Sequence, residues 1–223
     1  MTYSSVRTGR FVSRPNRFIA MVEVDGVNTV CHVKNTGRCK ELLVPGCTVV
    51  LAAADNPARK TLYDVIAVYK GDRLINMDSQ APNTVAAAYL AHRFPAATIR
   101  REVTYGDSRF DFYLQNGGEE WFVEVKGCTL EIDNIGYFPD APTERGVKHL
   151  RHLIRAAEEG YRAAVLFIVQ MEGIAAIRPN DATHSAFGEA LRDAANAGVE
   201  VWAVDCTVSP STLAYQAPIP IQL

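Results

Sequence analysis

Asp111, Glu124 and Lys126 are the residues of this chain whose types and spacing can do chemistry together. They lie in the runs Arg109-Phe-Asp-Phe-Tyr-Leu114 and Trp121-Phe-Val-Glu-Val-Lys126, joined by Gln-Asn-Gly-Gly-Glu-Glu, which read as a β-hairpin. A two-residue turn at Gly117-Gly118 pairs residues whose numbers sum to 235 and sets Asp111 across from Glu124; a turn at Asn116-Gly117 sets Asp111 across from Phe122. In either register both acids fall on the same side of the hairpin. Alternation then predicts one face of Phe110, Phe112, Leu114, Val123 and Val125, which is core. The other face collects Arg109, Asp111, Tyr113, Phe122, Glu124 and Lys126. Two carboxylates facing each other in a partly dry site repel unless a proton or a cation sits between them. Mg²⁺ or Mn²⁺ would resolve the conflict, with Asp111 and Glu124 as hard oxygen ligands and the Val125 carbonyl as a third. Lys126, on the Glu124 face, is then placed to orient or deprotonate an attacking water, or to stabilise charge on a phosphate. The competing reading is an ordinary Glu–Lys ion pair on a solvated strand.

The elements that must position this hairpin change character along the chain. Residues 17–24, 28–33, 48–53 and 63–69 read as short strands separated by turn signals such as Asp25-Gly26 and Pro45-Gly46. About five strands in so short a stretch predict a small barrel of the oligonucleotide-binding (OB) type, an SH3-like barrel being indistinguishable at this stage. Pro82 and Asn83 mark the predicted boundary, giving residues 1–83 as a nucleic-acid-binding domain and 84–223 as an α/β domain. Within the second, helices over 84–94, 143–159 and 184–197 alternate with strands over 98–105, 109–114, 121–126, 163–170 and 199–206. The order αβββαβαβ predicts a mixed sheet with helices on its faces.

Charge divides with the domains. Residues 1–83 carry 11 Lys and Arg against 7 Asp and Glu, a net +4, whereas residues 84–223 carry 12 against 18, a net −6. A basic barrel suits a phosphate polymer, and Arg10, Arg14, Arg17, Lys34 and Arg38 are the candidate contacts, with Phe11 and Phe18 interleaved as stacking surfaces. On the 143–159 helix, Val147, Leu150, Ile154 and Ala157 form the predicted buried stripe. Arg145, Lys148, His149 and His152 then fall on an opposite or flanking side, where Arg145 or Lys148 could reach a phosphate. His149 and His152 lack a facing ligand at matching spacing, so zinc is not expected. Five scattered cysteines with no C-x-x-C pair argue against a disulfide framework. With no long apolar run and no export-type leader, a cytoplasmic protein without a membrane partner is expected. Oligomeric state stays open, a homodimer included.

The pattern of Asp111, twelve residues, then Glu-Val-Lys resembles the active-site motif of the PD-(D/E)xK, or restriction-endonuclease-like, nucleases. That resemblance implies an additional acid at Glu102, although Phe110 stands where the motif has proline. More specifically, Arg17-Phe, Asn35-Thr-Gly-Arg38, Arg109-Phe-Asp111, Val123-Glu-Val-Lys-Gly-Cys-Thr-Leu130, Phe138-Pro-Asp-Ala-Pro-Thr143 and Arg145-Gly-x-Lys-His-Leu150 resemble the sugar fermentation stimulation protein A family. The family resemblance implies an OB-like N-terminal domain, a nuclease-like C-terminal domain, non-sequence-specific DNA binding and a link to maltose metabolism. It leaves two readings open. One is a Mg²⁺- or Mn²⁺-dependent nuclease acting on single- or double-stranded DNA, or on RNA; the other is a catalytically silent DNA-binding regulatory factor.

Overall fold

A computed structural model describes residues 1–223 apart from Thr36, Arg38, Asp55 and Pro57. The N-terminal half contains β1 (Val6–Asn16), β2 (Ile19–Val24), β3 (Val27–Val33), β4 (Thr48–Ala53), β5 (Tyr63–Lys70) and β6 (Arg73–Asn76). The strands run β3-β2-β1-β4-β5, and a parallel pairing of β3 with β5 closes the first five into an OB-like barrel, with β6 as a hairpin extension of β5. The β2–β3 turn is Asp25-Gly26, whose φ values of 50° and 80° suit a two-residue hairpin.

The arginine-bearing approach to the first expected strand is itself β1, paired with both β2 and β4. Its pattern hides it: among its residues only Phe11 is fully buried, so no apolar alternation shows. Gly9 is there for space, since a Cβ at that position would lie 2.5 Å from Val22 Cγ1. Phe11 is therefore core, whereas Phe18 is 49% exposed.

In the C-terminal half, α1 (Ala81–Arg93) starts ahead of the expected boundary, so Pro82 and Asn83 belong to its first turn. Then come β7 (Thr98–Tyr105), β8 (Ser108–Asn116), β9 (Glu119–Cys128), α2 (Glu144–Glu158), β12 (Arg162–Val169), α3 (Asp181–Asn196), β14 (Glu200–Ser209) and β15 (Thr212–Pro218). The sheet order is β15-β14-β12-β9-β8-β7. Strands β9, β12 and β14 are parallel and the outer pairings antiparallel, which is the expected mixed sheet. A second, small sheet of β10 (Leu130–Ile132), β11 (Ile135–Phe138) and β13 (Ala176–Pro179) has strands too short to announce themselves.

Helix α1 covers one face of the large sheet, with Phe112, Leu114, Val123 and Val125 beneath it. Helices α2 and α3 cover the other, over Phe110, Tyr113, Phe122 and Phe167. The halves are tied together by Gln170, whose Nε2 donates to Asn76 Oδ1 at 2.9 Å and to the Asp78 carbonyl at 3.1 Å. Glu131 adds ion pairs to Lys70 (2.8 Å) and Arg73 (3.0 Å). Among the described residues, no helix is long and apolar enough to cross a membrane.

Candidate metal centre at a strand fork

The hairpin adopts the 235 register, with Phe112 opposite Val123 and Asn116 opposite Glu119 across a Gly117-Gly118 turn in which both glycines have positive φ. Beyond Phe112 the ladder stops. The Val125 N–H, which in a regular ladder would donate to a β8 carbonyl, donates instead to Asp111 Oδ2 at 2.8 Å. Asn83, in the first turn of α1, donates through Nδ2 to Asp111 Oδ1 at 2.8 Å. Asp111 thus occupies the fork where β8 and β9 part, and leans toward α1.

A break in β8's other pairing accompanies this. Pairing with β7 passes from Arg101–Phe112 to Val103–Phe110 and skips Asp111 and Glu102, where Glu102 has a φ of 55°. Two expected face assignments are corrected. Phe110 lies with Phe122, ring centroids 5.3 Å apart, on the α2 side and not with Phe112. Asp111, held by Asn83 of α1, leans to the opposite side of the sheet from Glu124, which meets His149 of α2, because the break in both ladders at this point releases it from the alternation. The second face is also core: Tyr113 and Phe122 are buried, Phe122 packing against the rings of Tyr105, Phe110, Tyr113 and Tyr161.

Glu124 leans toward α2. It is only 4% exposed, and its Oε1 takes two donors: Lys126 Nζ at 2.6 Å and His149 Nδ1, in a short contact. His149 Nε2 in turn accepts from Arg145 Nε at 3.3 Å. That order assigns the ring a proton on Nδ1 and a lone pair on Nε2. Glu124 Oε2 is buried and has no hydrogen-bond partner among the described residues. Burial pushes the Glu124 carboxyl up, but the His149 hydrogen bond and the Lys126 charge outweigh it and hold it below the usual carboxylate range. Asp111 moves the other way. Burial and then the Glu124 charge push its carboxyl up, against the bonds from Val125 and Asn83.

This donor set fits a hard divalent cation: two desolvated carboxylates with pKa values pushed apart, and one buried anionic oxygen unpaired. In an extended strand a residue's carbonyl points to the same side as its N–H, so the Val125 carbonyl is a third candidate oxygen on the side where its N–H meets Asp111. Among the described residues no three His, Cys, Asp or Glu side chains gather as metal ligands, so a cation at this fork would have two carboxylates and a backbone oxygen to bind.

The other expected site residues are distributed unevenly. Glu102 is not brought to the pair; its carboxylate is 63% exposed and bound to Arg109 at 3.4 Å. Lys148 reaches Asp107 at 2.8 Å, and Asp107 also meets His152. The buried face of α2 is Val147, His149, Leu150, His152, Leu153 and Ala156, which corrects the expected stripe: both histidines point inward, while Ile154 and Ala157 are half-buried. Arg145 is exposed at the head of the helix.

In the barrel, Arg14 is structural, its guanidinium donating to the Gly37, Arg17 and Asn35 carbonyls at 2.9, 2.7 and 2.7 Å. Lys34 is shared between Asp64 (3.3 Å) and Asp78 (3.5 Å). Arg10 and Arg17 are exposed, Arg17 lying 5.7 Å over the Phe18 ring; Arg38 lies outside the described residues. A cavity of about 370 Å³ opens beside Asn83 and Val125, the two donors to Asp111, and a second of about 520 Å³ is lined by Arg14, Arg17 and Lys40. The two share Gly37 and Ala141 as lining residues.

Sequence reasoning missed His149 and Asn83 as partners of the acids. The available signal was the i, i+4 spacing of Arg145 and His149 on one helix face.

Family models place the same architecture on the chain. The "SfsA N-terminal OB domain" matches residues 12–77, and the "Sugar fermentation stimulation protein RE domain" matches residues 80–212. The sugar fermentation stimulation protein homolog of Desulfitobacterium hafniense (strain Y51) is 55% identical over 215 residues, covering 96% of this chain and 94% of that protein. The homolog of Ruminiclostridium cellulolyticum is 46% identical over 226 residues and covers all of both. The solved structure of Pyrococcus furiosus SfsA in complex with Ca²⁺ matches with a TM-score of 0.90 at 25% identity, covering 100% of this chain and 98% of that one. The chain belongs to the sugar fermentation stimulation protein family.

Proposed function

We propose that this protein is a divalent-cation-dependent phosphodiesterase of nucleic acids, with Mg²⁺ or Mn²⁺ held by Asp111, Glu124 and the Val125 carbonyl. The observation that carries the reading is the bare, buried Oε2 of Glu124 beside a second desolvated carboxylate. An uncompensated oxygen of this kind costs stability, and a cation would remove the cost. The Ca²⁺ complex of the Pyrococcus furiosus relative supports a divalent ion of oxygen-ligand type. When bound, such an ion supplies Lewis-acid polarisation of a phosphoryl oxygen and an acidified water.

The chain's own residues do the rest. Lys126, anchored on Glu124 Oε1, places an ammonium at the edge of the site, where a water or a phosphate oxygen would meet it. Arg145 presents the rest of its guanidinium to solvent after donating its Nε–H to His149. The exposed Arg10, Arg17 and Lys40 at the barrel rim would hold the phosphate backbone without reading bases, and Phe18 offers a stacking face. Five free cysteines, four of them buried, suit the reducing cytoplasm as the place of action.

The test is incubation with single-stranded and duplex DNA and RNA, with and without Mg²⁺ or Mn²⁺, for the wild type, Glu124→Gln and Lys126→Ala. Product from the wild type alone, and only with metal, is expected. Retained binding with no product from the wild type would replace the enzyme with a DNA-binding regulatory factor on the same scaffold.

A further inference from the structure

Resting on the cation reading above, we infer that His149 is a positioning residue for the metal ligand Glu124, itself set in its working tautomer by Arg145. His149 is 5% exposed on the sheet-facing side of α2, and its ring meets Phe110 edge to face at 6.4 Å, which fixes its plane. From there Nδ1 contacts Glu124 Oε1, the oxygen that Lys126 also holds. Two donors on one oxygen lock the carboxylate against rotation about its terminal bond, and that lock leaves the buried Oε2 as the oxygen without a hydrogen-bond partner among the described residues. With Lys126 as the only anchor, the flexible four-carbon stem would let the carboxylate pivot and bring either oxygen to the lysine.

Arg145 completes the arrangement. Its Nε–H points at His149 Nε2 at 3.3 Å, a geometry that requires a lone pair on that nitrogen and therefore leaves the ring proton on Nδ1, where Glu124 needs it. The chain Arg145, His149, Glu124 is the usual arrangement by which an outer hydrogen bond fixes a metal ligand, with the order of histidine and carboxylate reversed. Because Arg145 is exposed, the solvent side of the site connects to the ligand through a single buried ring.

The test is the affinity for Mn²⁺ alone, by titration calorimetry without nucleic acid, so that a lost phosphate contact cannot contribute. His149→Phe keeps the ring and the Phe110 contact but removes both nitrogens; His149→Asn keeps an N–H donor close to the Nδ1 position. Outer-shell partners of metal ligands are typically worth roughly 10- to 100-fold in affinity, so His149→Phe is expected to bind Mn²⁺ at least 10-fold more weakly and His149→Asn to return to within about threefold of wild type. Equal affinity in wild type and His149→Phe, or an Asn variant as weak as the Phe variant, overturns the inference and leaves the cation reading intact. Mn²⁺ bound by the wild type without any cleavage overturns the nuclease reading and leaves His149 in place. A wild type that binds no Mn²⁺ overturns both. Should thermal melts show that His149→Phe does not fold, the exposed Arg145→Met decides: it is expected to weaken Mn²⁺ binding severalfold, and unchanged affinity refutes the assignment.

Discussion

Asp111→Asn separates the cost of the acid pair from its use. The carboxylate accepts two hydrogen bonds, from Val125 N–H and Asn83 Nδ2, each at 2.8 Å. A carboxamide offers one acceptor, so one bond is lost, at about 1.5–3 kcal/mol for a bond to a charged group. Against this, burial and the Glu124 charge raise the Asp111 pKa, and every unit of that rise returns about 1.4 kcal/mol when the charge is removed. The two effects have opposite sign, so without metal the variant should lose less stability than the broken hydrogen bond alone would cost. With Mn²⁺ at a hundredfold excess over its Kd the wild type gains about 2.7 kcal/mol, which for a chain of this size is roughly 5–10 °C in Tm. The variant should gain nothing.

The pH dependence has a definite sign. An acid whose folded pKa is raised binds its proton first in the folded state, so the metal-free wild type should gain stability from Asp111 as pH falls into the window above 3.8, and Asp111→Asn should lack that gain. Melting curves with and without Mn²⁺ at several pH values provide the assay. A Tm that rises with Mn²⁺ as much in the variant as in the wild type would refute the placement of the cation at this fork.

Asp64 gives the opposite pH response. Despite burial, which pushes it up, its bonds to Arg59 and His32 and the Lys34 charge hold its carboxyl below the ordinary 3.8, so its stabilisation is complete above that value and is lost as pH falls through the folded pKa. Acid unfolding of Asp64→Asn should accordingly show a shallower pH dependence than wild type, and at pH 7 the variant should be less stable by about 1–3 kcal/mol because Arg59 and Lys34 lose their anion and His32 a hydrogen-bond partner. Gly127→Ala should destabilise by about 1–3 kcal/mol in urea melts, since its Cβ would lie 2.5 Å from Gln170 Oε1 and 2.7 Å from Pro82 Cγ, forcing apart the glutamine that ties the barrel to the sheet. Replacing Arg17 and Lys40 together with glutamine should flatten the salt dependence of DNA binding by about 0.7–0.9 per lost phosphate contact, measured by anisotropy, whereas Arg14→Gln should lower Tm by loosening the Asn35 and Gly37 carbonyls it holds.

The hairpin was legible because its determinants are local: two consecutive glycines able to take positive φ, and apolar alternation on either side. The fork was not, because it depends on Glu102, a residue with no compositional reason to adopt a φ of 55° and so release Asp111 from the ladder. His149 was missed for another reason. A helix packed against both a sheet and α3 buries a wide arc, and a single apolar stripe underestimates it. The sequence places the polar residues of the added part of that arc on an opposite or flanking side, whereas His149 is buried with both nitrogens satisfied, by Glu124 and Arg145.

Charge counting misled in a related way. The net +4 of the first 83 residues suggests a broadly cationic barrel, but Lys34 and Arg59 are held by Asp64, Lys70 and Arg73 by Glu131, Arg7 by Asp25, and Arg14 by carbonyls. Arg10, Arg17 and Lys40 are exposed without an acidic partner among the described residues, and Arg17 and Lys40 line the cavity that meets Ala141. Arg17 and Lys40 therefore place two positive charges, unpaired among the described residues, on a cavity that shares Gly37 and Ala141 with the 370 Å³ cavity beside Asn83 and Val125. A phosphate backbone held there would lead toward the acid pair and not away from it. Ion pairs thus occupy Arg7, Lys34, Arg59, Lys70 and Arg73, while Arg17 and Lys40 stand exposed at the cavity that leads toward the strand fork.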